Sequence, residues 1–263
     1  MKTVSYNING LKEKLKNKSL TLGSWITIPS SEIVEILSTA GFEWLVVDLE
    51  HTSITLDKAK ILIQTIQANG MYALVRVSSN NEIEIKKVLD IGANGIIVPM
   101  IKSKEEIDKA VSFTQYPPIG VRGVGLNRVH KYGTSFKEYK DYSKSNLIVI
   151  AQIEHISAVE NLEEILSCTG LDGIIVGPYD LSASMGYPGE YERTEVLEVL
   201  KKIEDTTLKF NKSLGFHVIE SNHNYALKKI KKGYTFLAYS IDFFFLGDLA
   251  REQMALLKKN IEK

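Results

Sequence analysis

Eight short apolar runs recur along the chain, and each is followed by a stretch with helical spacing. The runs lie at 20–28, 44–49, 72–77, 95–99, 147–153, 173–176, 214–218 and 236–240. They are rich in Val and Ile, as parallel strands covered on both faces must be. The helical stretches are 31–40, 56–68, 82–91, 105–113 with 136–143, 159–166, 195–210, 222–232 and 249–258. Eight β/α units in 263 residues predict a single α/β domain, a closed (β/α)8 barrel over 1–263. The rival is an open doubly wound sheet, but no Gly-rich dinucleotide turn follows the first run. No linker, low-complexity segment or charge block divides the chain. Residues 1–19 read as a short N-terminal extension, with a helix over 8–19 that closes the barrel bottom.

Local signals set the punctuation. Ser30 and Ser31 are suited to cap a helix, and Gly41, Asn69-Gly70, Gly92 and Gly233 are suited to end one. The connection at 116–133 holds Pro117-Pro118 and Arg122-Gly123-Val124-Gly125. Connections of that length in a compact domain are usually functional or disordered. It is expected, with 52–56, to shape the barrel mouth.

Composition narrows the function. Lys plus Arg is 32 and Asp plus Glu is 32, a balance that leaves no footprint for nucleic acid or an anionic membrane. No apolar run approaches the roughly 18 residues needed to span a bilayer. Residues 1–20 are Lys- and Asn-rich and show no secretory core. The lone Cys168 makes neither an internal disulfide nor a multi-thiolate zinc site. A cytoplasmic enzyme is the expectation.

In such a barrel the chemistry sits at the C-terminal ends of the strands. The first run carries Trp25, the second Asp48, Glu50 and His51, and the third Arg76. The fifth ends in Gln152 and Glu154, and the sixth in Gly177-Pro178-Tyr179-Asp180. His217 is on the seventh, and Asp242 follows the eighth. Ionised groups gathered there are costly to desolvate, and a divalent cation is the simplest compensation. Glu154 and Asp180 come from neighbouring strands. Two carboxylates with open positions suit Mg²⁺ or Mn²⁺, whereas zinc more often takes His or Cys. No strand end carries a lysine, which argues against a Schiff-base aldolase. No Gly-rich turn follows the seventh or eighth strand, which favours an unphosphorylated substrate. His51 has the properties of a general base near neutral pH. Arg76 is suited to pin a carboxylate or steady an enolate oxygen.

Each residue also has a plainer reading. Asp48 either orients the site or supports the rim, and Arg76, read first as functional, has a buried structural ion pair as its plainer reading. Asp90, by its place inside a helix, reads as solvated. Arg122 contacts either substrate or a neighbouring subunit. Trp25 is more often core than pocket wall. His130, His155, His217 and His223 read as structural, and Cys168 as inert. Phe243, Phe244 and Phe245 are either core or a subunit contact.

Six stretches together resemble the HpcH/HpaI family of metal-dependent pyruvate aldolases: WLVVDLEH at 44–51, VRV at 75–77, VLDIGA at 88–93, YPPIGVRGVG at 116–125, QIE at 152–154 and GPYDLS at 177–182. The resemblance runs from about 20 to 249. It implies a barrel of the phosphoenolpyruvate/pyruvate-binding type. It also implies a class II aldolase, a carbon–carbon lyase that cleaves a 4-hydroxy-2-oxo acid to pyruvate and an aldehyde through a metal-bound pyruvate enolate. By motif, Glu154 and Asp180 hold the metal, and Gln152 binds pyruvate with the backbone around Tyr179 and Asp180. His51 matches the general base, Asp90 a carboxylate that raises its basicity, and Arg76 the residue that stabilises the enolate. Relatives are typically homo-hexamers with exchanged C-terminal helices. Several have a small residue where this chain has Tyr179, so a ring facing the mouth would narrow the aldehyde pocket. Two alternatives stay open: a lyase for a β-hydroxyacyl-CoA thioester of the malyl-CoA or citryl-CoA type, and a catalytically idle oligomeric barrel.

Overall fold

The computed structural model describes residues 9–261. Eight parallel strands close into a barrel in sequence order: β1 (Thr21–Ile26), β2 (Trp44–Asp48), β3 (Tyr72–Arg76), β4 (Gly95–Val98), β5 (Ile148–Ile153), β6 (Gly173–Val176), β7 (Ser213–Val218) and β8 (Phe236–Ile241). The helices are α1 (Asn9–Lys16), α2 (Ser31–Ser38), α3 (Leu56–Ala68), α4 (Glu82–Asp90), α5 (Lys104–Thr114), α6 (Phe136–Asn146), α7 (Ile156–Glu160), α8 (Leu162–Leu166), α9 (Pro178–Ser184), α10 (Thr194–Lys209), α11 (His223–Lys231) and α12 (Asp242–Ile261). The fold is the (β/α)8 barrel that the eight-fold pattern predicts.

The period-2 alternation of the strands sorts the core into two layers. Leu45, Val47, Ala73, Val75, Ile96 and Val98 face outward and are buried with the helices. Trp25, Trp44, Val46, Leu74, Ile97, Ile150, Ile175 and Phe236 fill the lumen. Trp44 stacks on Phe236 with ring centroids 4.2 Å apart and donates from Nε1 to Thr21 Oγ1 at 3.1 Å. Gly23 is obligatory beside it, because a Cβ there would overlap the Trp44 ring.

The helix expected over 8–19 is α1, and its residue 8 lies outside the described residues, as does the rest of 1–8. Leu11 and Leu15, one turn apart, are each 1% exposed and join the lumen cluster. They plug the end at which the strands begin. Removing either large side chain should cost about 2–5 kcal/mol.

Asp242 ties the barrel seam at the other end. It accepts from the Thr27 and Ile28 backbone N–H groups, each at 2.8 Å, just beyond β1. α12 therefore starts directly from β8, seven residues before the helix expected at 249. The three phenylalanines at its start divide. Phe245 packs on Phe42 and Tyr239, while Phe243 is exposed.

Three expectations need correction. The single helix expected over 159–166 is two short ones, α7 and α8, separated at Asn161. A helix not expected, α9, begins directly after β6, with Pro178 at its first position and therefore with no amide hydrogen bond to lose. The connection 116–133 does not lie over its own chain's mouth: it runs from the end of α5 to α6, the helix that precedes β5, and is fastened to the ends of α3 and α4. Arg128 from it donates to the Ile91 carbonyl beyond α4, at 3.1 Å, and to Gln67 of α3, at 2.8 Å.

No helix among the described residues is long and apolar enough to cross a membrane.

Candidate active site

Alternation along the strands delivers one polar layer above the apolar lumen. Trp25, Asp48, Arg76, Gln152 and His217 occupy inward positions on β1, β2, β3, β5 and β7. Asp48 and Arg76 are register partners on adjacent strands. The guanidinium donates from Nε to Asp48 Oδ1 at 2.9 Å and from Nη2 to Oδ2 at 2.7 Å. Its carbon also lies 4.4 Å from the Trp25 ring centroid. Both residues are buried, and so is Trp25. Burial works against the Asp48 charge. The Arg76 hydrogen bonds and charge, with the Glu50 and His51 N–H groups, outweigh it and hold the carboxyl below its usual range.

Beneath this pair, His217 lies 5.0 Å from Trp25, ring centroid to centroid. Burial, aided by the Arg76 charge, drives its imidazole down to about 3. It is therefore neutral at any working pH. Its Nε2 and the Trp25 Nε1 are both buried without a hydrogen-bond partner.

The turn after β2 brings Glu50 and His51 to the rim. Glu50 Oε2 is 3.3 Å from Arg76 Nε and 3.6 Å from His51 Nε2. It makes no hydrogen bond although it is buried. His51 is exposed. Across the mouth, Glu154 is buried just past β5, where its Oε1 accepts from the Met100 N–H at 2.7 Å and its Oε2 from the Gln152 side-chain amide. The Gln152 Oε1 is buried and unpartnered. Asp180 is exposed in the first turn of α9.

Three carboxylates thus face one another around the mouth. Burial pushes the Glu154 carboxyl up to about 7, and the charges of Glu50 and Asp180 add to the rise. The Gln152 and Met100 contacts oppose it. Burial likewise raises Glu50 to about 7, where Arg76 pulls it down and Asp48, Asp180 and Glu84 push it up. Such mutual repulsion marks a place that accepts positive charge.

Gly177, between β6 and α9, is the close-approach position. A Cβ there would stand 2.8 Å from Glu154 Oε2 and 3.1 Å from its Cβ. Among the described residues, no group of three or more His, Cys, Asp or Glu side chains stands ready to enclose a metal. The donors that are present are carboxylate and amide oxygens, two of them buried and unpaired. That set suits a hard divalent cation that keeps open positions for water or substrate oxygens.

Tyr179 resolves the question its bulk raised. Its ring packs on Tyr191, with centroids 5.3 Å apart. Tyr191 in turn donates to Glu220 Oε1 at 2.7 Å. The ring therefore belongs to an aromatic wall along the β6–β7 edge.

Two predicted residues are not at the mouth. Asp90 ends α4 and is buried, not solvated, with its Oδ1 accepting from Arg122 Nη2 at 2.6 Å. Helices run back to the end where strands begin, so its position is remote from the strand ends. Within the chain, no hydrogen bond or ion pair joins it to His51 among the described residues. Arg122, fully buried, also donates to the Tyr139 hydroxyl and lies over the Tyr116 ring. Within the chain the pair fastens the 116–133 connection to α4. The sequence placed Gly177 in the strand-end motif without a role of its own, and read His217 as structural. Its inward place on β7 was the available signal for His217.

Known proteins show the same architecture. The HpcH/HpaI aldolase/citrate lyase family model matches residues 21–247. The chain is 31% identical over 252 residues to the 2-keto-3-deoxy-L-rhamnonate aldolase of Escherichia coli (strain K12), covering 95% of this chain and 93% of that one. The crystal structure of an HpcH/HpaI aldolase from Desulfitobacterium hafniense DCB-2 superposes with a TM-score of 0.86 at 29% identity, covering 94% of this chain and 96% of that one. A family protein from Burkholderia cenocepacia J2315 gives 0.90 at 26% identity, covering 95% and 99%. The chain belongs to the HpcH/HpaI aldolase/citrate lyase family.

Proposed function

We propose that the protein is a divalent-metal-dependent aldolase, which cleaves a 4-hydroxy-2-oxo acid reversibly to pyruvate and an aldehyde. The observation that carries this reading is the facing of Glu50, Glu154 and Asp180 across the mouth, with two of the three pushed up to about 7. A site that strains to keep its carboxylates ionised is relieved by a cation, and the oxygen donors suit Mg²⁺ or Mn²⁺.

Glu154 and Asp180 would hold the metal, with the Gln152 amide beside them. When bound, the metal would supply Lewis-acid polarisation of the 2-oxo group. Gln152 and the backbone of Tyr179 and Asp180 would seat the pyruvate portion. His51, exposed at the rim, takes the proton from the 4-hydroxyl, directly or through a water. The C3–C4 bond then breaks, the aldehyde leaves, and the electron pair stays on the pyruvate part as an enolate. Arg76, held rigid by Asp48 and Trp25, faces that developing charge. A proton delivered to the C3 methylene carbon, from His51 or through a water, then gives pyruvate and restores the base. Asp90 takes no part in these steps within one chain.

The test is release of pyruvate from a 4-hydroxy-2-oxo acid, read by a coupled lactate dehydrogenase. Turnover with Mg²⁺ or Mn²⁺ that stops with chelator supports the reading. No pyruvate with any divalent metal, across a panel of such acids, contradicts it.

A further inference from the structure

The proton that leaves the 4-hydroxyl has a counterpart that must reach carbon before pyruvate forms. The 4-oxygen and C3 are both bonded to C4. The group that unloads the oxygen and the group that loads C3 must therefore lie side by side.

Glu50 follows Asp48 by two positions, so it continues the inward row of β2 past the strand end. The turn that carries it is fixed by hydrogen bonds of its own. The Glu50 N–H donates to Asp48 Oδ1 at 3.0 Å, the Thr52 hydroxyl to the Asp48 carbonyl, and the Ile54 N–H to Thr52 Oγ1 at 3.1 Å. The side chain held there is left open. Its Oε2 is buried without a hydrogen-bond partner, 3.6 Å from His51 Nε2 and 3.3 Å from Arg76 Nε. It thus stands between the group that takes the 4-hydroxyl proton and the group that faces the enolate. Catalytic contacts are often long before substrate binds and tighten in the complex. The His51 side chain is 60% exposed and the Glu50 side chain 16%, so the histidine meets solvent and the carboxylate lies behind it. A buried polar atom without a partner is uncommon, and a catalytic role is one reason to keep it.

The other polar groups of the mouth are committed. Arg76 does not release its proton in a protein. Asp48 has both oxygens on Arg76. Glu154 has its oxygens on the Met100 N–H and the Gln152 amide, and with Asp180 it is proposed for the cation. His217 stays neutral, and the Tyr179 ring packs on Tyr191.

We propose that Glu50 carries the proton between His51 Nε2 and C3, as a second catalytic acid–base of the reaction. The inference rests on the pyruvate-aldolase reading and adds a residue to its chemistry. His51 takes the 4-hydroxyl proton on Nε2. That N–H bond breaks as an O–H bond forms at Glu50 Oε2. The electron pair of the enolate then takes the proton at C3, and Glu50 returns to carboxylate. One proton leaves oxygen and one arrives at carbon, so no co-reactant is needed.

The experiment reads the two ends of the relay separately, with saturating Mn²⁺, in the native chain, Glu50→Gln, Glu50→Asp and His51→Ala. Aldehyde released in a single turnover, with protein in excess over a 4-hydroxy-2-oxo acid, reads bond cleavage. Exchange of the pyruvate methyl protons in D2O, without aldehyde, reads proton transfer at C3. Glu50→Gln should slow exchange about 100-fold while it slows single-turnover cleavage less than about ten-fold. His51→Ala should show the reverse bias, with cleavage the harder hit. Glu50→Asp, which keeps a carboxylate, should retain more exchange than Glu50→Gln, and exchange should again be its more impaired step. It carries the test if the glutamine variant does not fold. Equal or greater loss of cleavage in the Glu50 variants would assign Glu50 to the cation or to Arg76 and overturn the relay. Exchange within about two-fold of native would overturn it as well. Either result, with exchange present in the native protein, removes the relay alone. Absence of exchange from the native protein removes the aldolase reading and the relay with it.

Discussion

Asp48 and Arg76 are register partners on adjacent strands, joined by two hydrogen bonds of 2.9 and 2.7 Å and floored by the Trp25 ring. The sequence left a functional and a structural reading of Arg76 open, and the geometry joins them. The ion pair is structural in its burial, and it fixes a guanidinium at the place where anionic charge would develop. Because the pair is buried, breaking it is costly. Asp48→Ala leaves the guanidinium without its carboxylate and should lower stability by about 3–5 kcal/mol. Urea unfolding followed by circular dichroism would measure this, and a loss within experimental error would deny the pair its role.

Glu50 and Glu154 predict an unusual pH profile. Both are raised from 4.5 to about 7, so the folded chain binds more protons than the unfolded chain between those values. Without metal, stability should therefore fall as pH rises from about 4.5 to about 7, and level off above. A cation that relieves the repulsion reverses the trend. Mn²⁺ should raise Tm markedly at pH 7.5 and little at pH 5, against a chelator control. An equal rise at both pH values would count against these carboxylates as the binding site.

Gly177 should be intolerant of the smallest addition. The Cβ of Gly177→Ala would stand 2.8 Å from Glu154 Oε2, and its backbone φ of −96° imposes no strain of its own. The effect is thus on the carboxylate and not on the fold. Mn²⁺ affinity should fall about 10–100-fold, as when the support of a ligand is disturbed. Calorimetric titration at native-like Tm would read it, and unchanged affinity would place the metal elsewhere.

His51 is exposed, and no helix or strand depends on its side chain. His51→Ala should keep Tm and Mn²⁺ affinity while lowering retro-aldol kcat by about 10²–10⁴. Turnover within two-fold of native would remove it as the base.

The barrel was legible because burial on both faces imposes a pattern that few folds share. Runs of Val and Ile at strand length, each followed by a 3.6-residue period, left little choice of architecture. The mouth residues were legible for the same reason, since Trp25, Asp48, Arg76 and Gln152 follow from counting by two along strands. α9 was not, because its short sequence opens with Gly-Pro, which reads as a turn until the helix behind it is seen. Asp90 was legible only as a motif match, because motif order carries no three-dimensional address. It sits at the C-terminal end of a helix, whereas the mouth is made from the C-terminal ends of strands. The place of the 116–133 connection was not legible either, because a Gly-rich stretch signals a special backbone and not the end of the barrel it occupies. Tyr191 and Glu220 lie in segments without a periodic pattern, and only their contact in space draws them together.

The central claim is that the mouth forms an enolate from pyruvate with a cation at Glu154 and Asp180. Exchange of the pyruvate methyl protons in D2O, followed by NMR, tests it without knowledge of the aldehyde. The account predicts exchange with Mg²⁺ or Mn²⁺ that chelator abolishes and that Glu154→Ala lacks. Pyruvate that keeps its protons with every divalent metal would contradict the account and turn attention to a thioester substrate.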